Sequence, residues 1–187
     1  MSQRTEATKQ KLFDATLRLA SSKGMVGLTV DEIAAEAGVA KGTVYYNFGS
    51  KDGLIDALLR YGVDLLADRL RKAGEVEQLV DGALSYFADY PAFAQLLVSE
   101  LWRTPGQWHD TLTLLRDDII SIIKDHMQRL TDEGRLPAGV QTSTASAALF
   151  GTLLVVALDW QVFQPHRTRD EVRESVMSLV RGLGEKS

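Results

Sequence analysis

Apolar residues recur along nearly the whole chain at intervals of three and four, and no stretch alternates in the two-residue rhythm of a half-buried strand. Each such segment can bury its apolar face only against other helices, so the pattern predicts an all-α protein of about nine helices. The first is expected over 5–22, with Leu12, Phe13, Ala15, Thr16, Leu19 and Ala20 turned inward and Gly24 closing it as a left-handed cap. The run Thr29-Val30-Asp31-Glu32 reads as a capping box that opens a short second helix, carried by Ile33, Ala34 and Ala37 and stopped by Gly38. A third short helix follows over 40–47, anchored by Val39, Val44 and Phe48. Ser50 then caps a long fourth helix whose buried stripe is Leu54, Leu58, Leu65 and Leu70. Further helices are expected over 76–90, 91–102, 107–131, 142–163 and 169–183. Pro91 suits a helical first turn, while Pro105-Gly106 and Pro137-Ala138-Gly139 read as loops.

With 187 residues, 45% of them hydrophobic and 25% charged, the chain holds enough apolar material for a core without staples. It has no cysteine, which excludes disulfides, thiol nucleophiles and thiolate metal sites and fits a reducing cytoplasm. The polar N-terminal segment MSQRTEATKQ lacks the charged-then-apolar pattern of an export signal. The most apolar stretch, 145–158, contains Ser146 and Thr152 and is short for a bilayer, so a buried helix is expected there. No G-x-S-x-G, phosphate-cradling P-loop or H-E-x-x-H occurs. His109, His126 and His166 lie in separate segments without metal-ligand spacing, and the adjacent pairs His109-Asp110 and Asp125-His126 would point apart on a helix. Neither catalysis nor a metal or other cofactor is therefore expected. The net charge of −4 is unevenly placed: residues 1–55 carry seven basic against six acidic side chains, leaving fourteen basic and nineteen acidic to the rest. A near-neutral head on an acidic body is compatible with a local phosphate-binding face.

Two short helices joined by a tight glycine turn, over 29–48, are hard to justify as core alone. They have helix-turn-helix proportions, in which the second helix enters the major groove by its N-terminal end. Its outward residues are Lys41, Gly42, Thr43, Tyr45, Tyr46 and Asn47. Lysine and the tyrosine hydroxyls can reach phosphates, and Thr43 can bond a phosphate or touch a thymine methyl. Asn47 can donate and accept, and Gly42 lets the backbone approach closely. One of Tyr45 and Tyr46 could instead pack on the first helix, and Thr29 could serve only as a cap. Lys51, in the first turn of the fourth helix, adds a charge beside amides that already favour an anion.

The stretch Leu12 to Leu54, LFDATLRLASSKGMVGLTVDEIAAEAGVAKGTVYYNFGSKDGL, resembles the DNA-binding domain of the TetR family of bacterial repressors. The matching parts are Gly24, Leu28-Thr29-Val30, Ile33-Ala34, Ala37-Gly38-Val39, Gly42-Thr43-Val44-Tyr45, Phe48 and Ser50-Lys51. The resemblance implies phosphate or base contacts from Thr29, Lys41, Gly42, Thr43, Tyr45, Tyr46, Asn47 and Lys51. Ala40 stands where serine is frequent in the family, which removes a side-chain cap worth about 1 kcal/mol. Asn47 stands where histidine or another aromatic is usual.

The expected organisation is a DNA-binding head over 1–51 and a helical ligand-binding and dimerisation body over 52–187. Pairing through the last two helices would build a four-helix bundle, which is also what the resemblance implies. Its apolar residues would be Ala145, Ala148, Leu149, Thr152, Val155 and Val156, with Val172, Val176, Leu179, Val180 and Leu183. A mainly apolar pocket with a few polar groups is expected among Tyr86, Tyr90, Phe93, Trp102, Arg103, Trp108, Thr111, Phe150, Asp159 and Trp160. The resemblance implies a cytoplasmic homodimer that binds a palindromic operator and is released by a small, largely apolar effector. A non-switching architectural DNA-binding protein or a helical small-molecule carrier are the competing readings.

Overall fold

The computed structural model describes residues 3–23, 27–100, 109–136 and 139–182. Among these residues it is all helical: α1 (Gln3–Lys23), α2 (Val30–Ala37), α3 (Lys41–Phe48), α4 (Lys51–Arg71), α5 (Val76–Asp89), α6 (Pro91–Glu100), α7 (His109–Asp132), α8 (Thr142–Phe163) and α9 (Arg169–Gly182). Where described residues flank a helix end, the boundary falls within about two residues of that expected from periodicity, because caps and glycines act locally. The cap expected at Gly24, the loop at Pro105-Gly106 and the Pro137-Ala138 part of the next loop lie outside the described residues.

The long helix α4 organises the molecule. Its N-terminal part packs against α1 and α3, and it also contacts α5 and α7. Behind it α7 pairs with α8, while α5 lies against α8 and α9. Because α4 is covered on more than one side, its buried set is wider than a single stripe: Leu54, Ile55, Leu58, Leu59, Gly62, Val63, Leu66, Ala67 and Leu70. Leu65, expected inward, is only half-buried, and Leu66 takes the core position beside it. Leu17 and Val30, outside the expected inner faces, also join the core.

An aromatic cluster fastens α1 to the body. The Phe13 ring lies 5.3 Å from those of Tyr61 and Tyr90 and 5.7 Å from that of Phe93, in edge-on or tilted contacts favoured by the ring quadrupoles. Tyr86 completes the cluster, 5.1 Å from Tyr90 and 5.9 Å from Phe93, and its hydroxyl donates to the Gly62 carbonyl at 2.7 Å. Burial pushes the Tyr86 hydroxyl well above the usual phenol range, so it acts as a neutral donor. Gly62 is required here: a Cβ would lie 2.7 Å from the Phe93 ring and 2.8 Å from that of Phe13. Gln10 bridges the rim, accepting from the Tyr61 hydroxyl and reaching the Tyr90 hydroxyl at 3.5 Å.

Candidate nucleic-acid interface

The interface is built from α2, the turn after it, α3 and the first turn of α4. Thr29 caps α2 as a full capping box: its Oγ1 accepts from the Glu32 amide at 3.2 Å, and the Glu32 carboxylate accepts from the Thr29 amide at 3.0 Å. Lys23 donates to the same carboxylate at 2.6 Å, tying the end of α1 to α2. These bonds, first the one from Lys23 and then those from Thr29, hold the Glu32 carboxyl down at about 2. The box is thus intact above the ordinary carboxylate range and is lost only as pH falls through about 2. Asp31 and Glu32 also sit where the helix dipole favours negative charge.

Gly38 ends α2 with φ 66°, a left-handed conformation that glycine adopts without Cβ strain. The Gly38 amide donates to Ala35 at 3.1 Å and the Val39 amide to Ala34 at 2.9 Å, which turns the chain sharply into α3. As expected, Ala40 caps α3 without any side-chain hydrogen bond. Along α3 only Val44 is buried, with Phe48 half-buried behind it. Lys41, Gly42, Thr43, Tyr45, Tyr46 and Asn47 all face solvent. Tyr45, beneath the Lys41 ammonium, is 45% exposed, whereas Tyr46 is 90% exposed and so does not pack on α1. A large ring left in water contributes nothing to folding, so its position favours contact with a partner.

Two of these side chains have partners within the head. Lys41 Nζ lies 2.7 Å from the Asp31 carboxylate and 5.8 Å above the Tyr45 ring, and the bond to Asp31 raises its pKa. An exposed pair of this kind is worth little, so a phosphate can displace Asp31 at small cost. Asn47 turns back, donating from Nδ2 to the Thr43 carbonyl at 2.6 Å. The Asp31–Lys41 pair has no signature in the sequence. The two residues are ten positions apart and meet only because the turn folds α3 back across α2. At the start of α4, Ser50 Oγ accepts from the Gly53 amide at 3.0 Å, which fixes the turn that carries the half-buried Lys51.

The residues expected to form one ligand pocket are distributed differently. Tyr86 and Phe93 are core members of the aromatic cluster, 0% and 1% exposed. Phe150 lies elsewhere, on a cavity of about 10 Å³ with Val63, Leu66, Leu112 and Leu115. Thr111 donates to Asp56 of α4. Asp159 accepts from the Gln164 amide at 2.5 Å, and the Trp160 indole donates to the Arg167 carbonyl at 2.8 Å, so both serve the corner between α8 and α9. Trp102, Arg103 and Trp108 lie outside the described residues. Among the described members of this set, Tyr90 lines a groove of about 440 Å³ between α1 and the junction of α5 with α6, and the others do not. Aromatic residues attract one another in a core whether or not a ligand exists, so composition could not separate these roles.

The two final helices also divide their apolar residues. Leu149, Val172 and Val176 point into their own subunit, correcting the expectation that they would meet a partner. Ala148, Val155 and Leu179 face outward, joined by Val162 and by Phe163, which is 76% exposed. Ala145, Thr152, Val156 and Val180 are half-buried, and Leu183 lies outside the described residues.

Residues 12–58 match the family model for bacterial regulatory proteins of the tetR family. An HTH-type transcriptional repressor of Streptomyces coelicolor is 26% identical over 197 residues, covering 95% of this chain and 95% of its own. A putative TetR-family transcriptional regulator from Rhodococcus sp. superposes with TM-score 0.78 at 17% identity, over 96% of this chain and 100% of that one. The transcriptional regulator FadR from Bacillus subtilis, in complex with stearoyl-CoA, does so with TM-score 0.77 at 18% identity, over 93% and 98%. With its capping box, glycine turn and exposed third helix in this arrangement, the segment 12–58 is a helix-turn-helix of the kind the tetR family model describes.

Proposed function

We propose that the protein is a dimeric, effector-responsive repressor that seats α3 of each subunit in successive major grooves of a palindromic operator. The observation that carries this reading is the outward row on α3, where one buried side chain, Val44, supports six solvent-facing residues, of which Tyr46 is 90% exposed. In this reading Thr43 and Asn47 read base edges, and Tyr45 and Tyr46 reach phosphates or thymine methyls. Lys41, released from Asp31, joins Thr29 and Lys51 on the backbone. Two half-sites about 34 Å apart would be engaged together. Selection of bound fragments from a random duplex pool tests this: an inverted repeat is the expected result, and recovery of no sequence above background at low salt would overturn it.

Gly42 provides a sharper test, because stability and binding should change in opposite directions. Nothing lies within 4 Å of the position a Gly42 Cβ would take. Gly42→Ala should therefore raise the unfolding free energy by about 0.5–1 kcal/mol through helix propensity. If the backbone at this position approaches DNA closely, the same methyl should weaken operator binding. A thermal melt and a titration with the selected duplex give both numbers, and equal or tighter binding would remove Gly42 from the contact surface.

Pairing is proposed through the outward residues of α8 and α9, together with the half-buried Thr152, Val156 and Val180. The support is that α8 is apolar around its circumference, yet leaves Val155 59% and Val162 56% exposed. Val155→Asp would place an unpaired carboxylate at the centre of that face in both subunits, which costs several kcal/mol. Sedimentation of the variant should show a monomer where the wild type is a dimer, and operator affinity should fall with it.

The effector is proposed to be small and largely apolar, entering the body where Val63, Leu66, Leu97, Leu112, Leu115 and Phe150 line a narrow aliphatic cavity. The stearoyl-CoA held by the similarly folded FadR supports an apolar ligand class. Because the cavity is far smaller than a ligand, binding must part α4 from its neighbours, which would move the head it carries. A coupling of roughly 1–3 kcal/mol would lower operator affinity several-fold to a hundredfold.

A further inference from the structure

The groove between head and body has a chemistry different from that aliphatic cavity. Its volume of about 440 Å³ is that of a small-molecule site. The floor is apolar, made by Leu17 of α1 with Tyr90, Pro91 and Ala92 at the start of α6. The rim is polar, with Asp14, Arg18, Asp89 and Gln95. Two of the three rim charges are already neutralised. Arg18 engages Glu36 of α2 at 2.8 Å, and Asp89 engages Arg69 of α4 at 2.8 Å. Asp14 differs: the residue is half-buried, and the partner its carboxylate has is the neutral amide of Gln10, at 2.8 Å. A carboxylate beside an apolar floor, with no cation among the described residues paired to it, leaves the groove one negative charge in excess.

We propose that this groove is an effector site for a protonated organic amine with an apolar body, its ammonium donating to Asp14 and its body lying over Leu17, Tyr90 and Ala92. An ammonium there restores charge balance and makes charge-assisted hydrogen bonds, while the Tyr90 ring offers a face to a cation. An anionic ligand would meet the Asp14 carboxylate with like charge. The site sits on the element that joins head to body. Asp14 follows Phe13, the ring inserted into the aromatic cluster, and it shares Gln10 with Tyr61 and Tyr90. A ligand that takes Asp14 from Gln10 loosens that bridge and changes how α1, with α2 held to it through Arg18–Glu36, sits on the body. The consequence for DNA rests on the operator reading above, whereas binding of the amine does not.

Calorimetry on the full chain, with phenylbutylamine as the probe and phenylbutanol and phenylbutanoate as controls of similar shape, tests the site. The amine should bind saturably, the alcohol more weakly and the carboxylate not at all. Asp14→Asn, which keeps shape and the Gln10 bond, should weaken the amine about tenfold or more. Gln95→Trp, at an exposed lining position, should block it by filling the groove while leaving the thermal melt unchanged. Absence of amine binding, equal binding of the alcohol, or isotherms unaltered in both variants would overturn the proposal. With the selected duplex, saturating amine should shift DNA affinity several-fold in the wild type and leave Asp14→Asn unmoved. A shift of equal size in both would show that any coupling bypasses Asp14. Failure of every duplex to bind would remove the operator reading and leave the calorimetric result standing.

Discussion

Phe13→Ala should lower the unfolding free energy by about 3–5 kcal/mol, the usual cost of deleting a fully buried phenylalanine ring. Phe13 is 1% exposed, and its ring meets Tyr61, Tyr90 and Phe93, so its removal opens a cavity walled by rigid aromatics that cannot collapse to fill it. The loss is also localised. Gln10, which bridges Tyr61 and Tyr90, lies one turn away on the same helix and would lose its fixed geometry. The head should then unfold before the body, so denaturant melts followed by near-ultraviolet dichroism and by duplex binding should separate. Coincident transitions with a loss below about 1 kcal/mol would show that the seam between α1 and the body is not held by this ring.

Gly53→Ala is expected to disable the head through its backbone. A Cβ at position 53 would lie 2.2 Å from the Phe48 carbonyl oxygen. That atom belongs to the main chain at the end of α3, so it cannot swing aside as a ring or a flexible side chain can. Alanine gains about 1 kcal/mol of helix propensity over glycine, but overpacking of this kind costs about 1–3 kcal/mol and occasionally more. A net loss of up to about 2 kcal/mol is expected. The displacement separates the last turn of α3 from the first turn of α4, the turn that Ser50 fixes and that carries Lys51. Operator affinity should therefore fall more than tenfold, even at temperatures where the variant remains folded. A variant with wild-type melting and wild-type binding would mean that α3 and α4 can part at no cost. Comparison with Gly42→Ala separates the two glycines: Gly53 is required by close backbone approach within the fold, whereas a Cβ at Gly42 would meet nothing within 4 Å.

Much of this architecture is legible in the order of the residues. The Thr29–Glu32 box, the stop at Gly38, the uncapped Ala40 and the Ser50 cap are each specified by residues at most a few positions apart, and each forms as expected; the left-handed φ of Gly38 is how that stop is made. Helix boundaries and the outward row on α3 follow from the same short-range rules, since a 3.6-residue period leaves few ways to bury Val44 and expose its neighbours. Sequence therefore determined that the elements among the described residues are all helices and that residues 29–48 form a helix-turn-helix.

Only tertiary structure decided how the apolar and charged residues are shared out. Leu149 and Val155 lie six residues apart on one apolar helix, and nothing local says that the first faces the core and the second faces away. Tyr86, Tyr90 and Phe93 resemble pocket-lining residues in composition, yet Tyr90 and Phe93 meet Phe13 from more than 70 positions away, with Tyr86 packed behind them, and the cluster becomes a seam. Lys41 finds Asp31, and Asp14 finds a neutral amide in place of a cation, because of where side chains come to rest once the helices are packed. Periodicity states which face of a helix avoids water; the partner that covers it is set by packing among all the helices at once, and that information is held in no single stretch of chain.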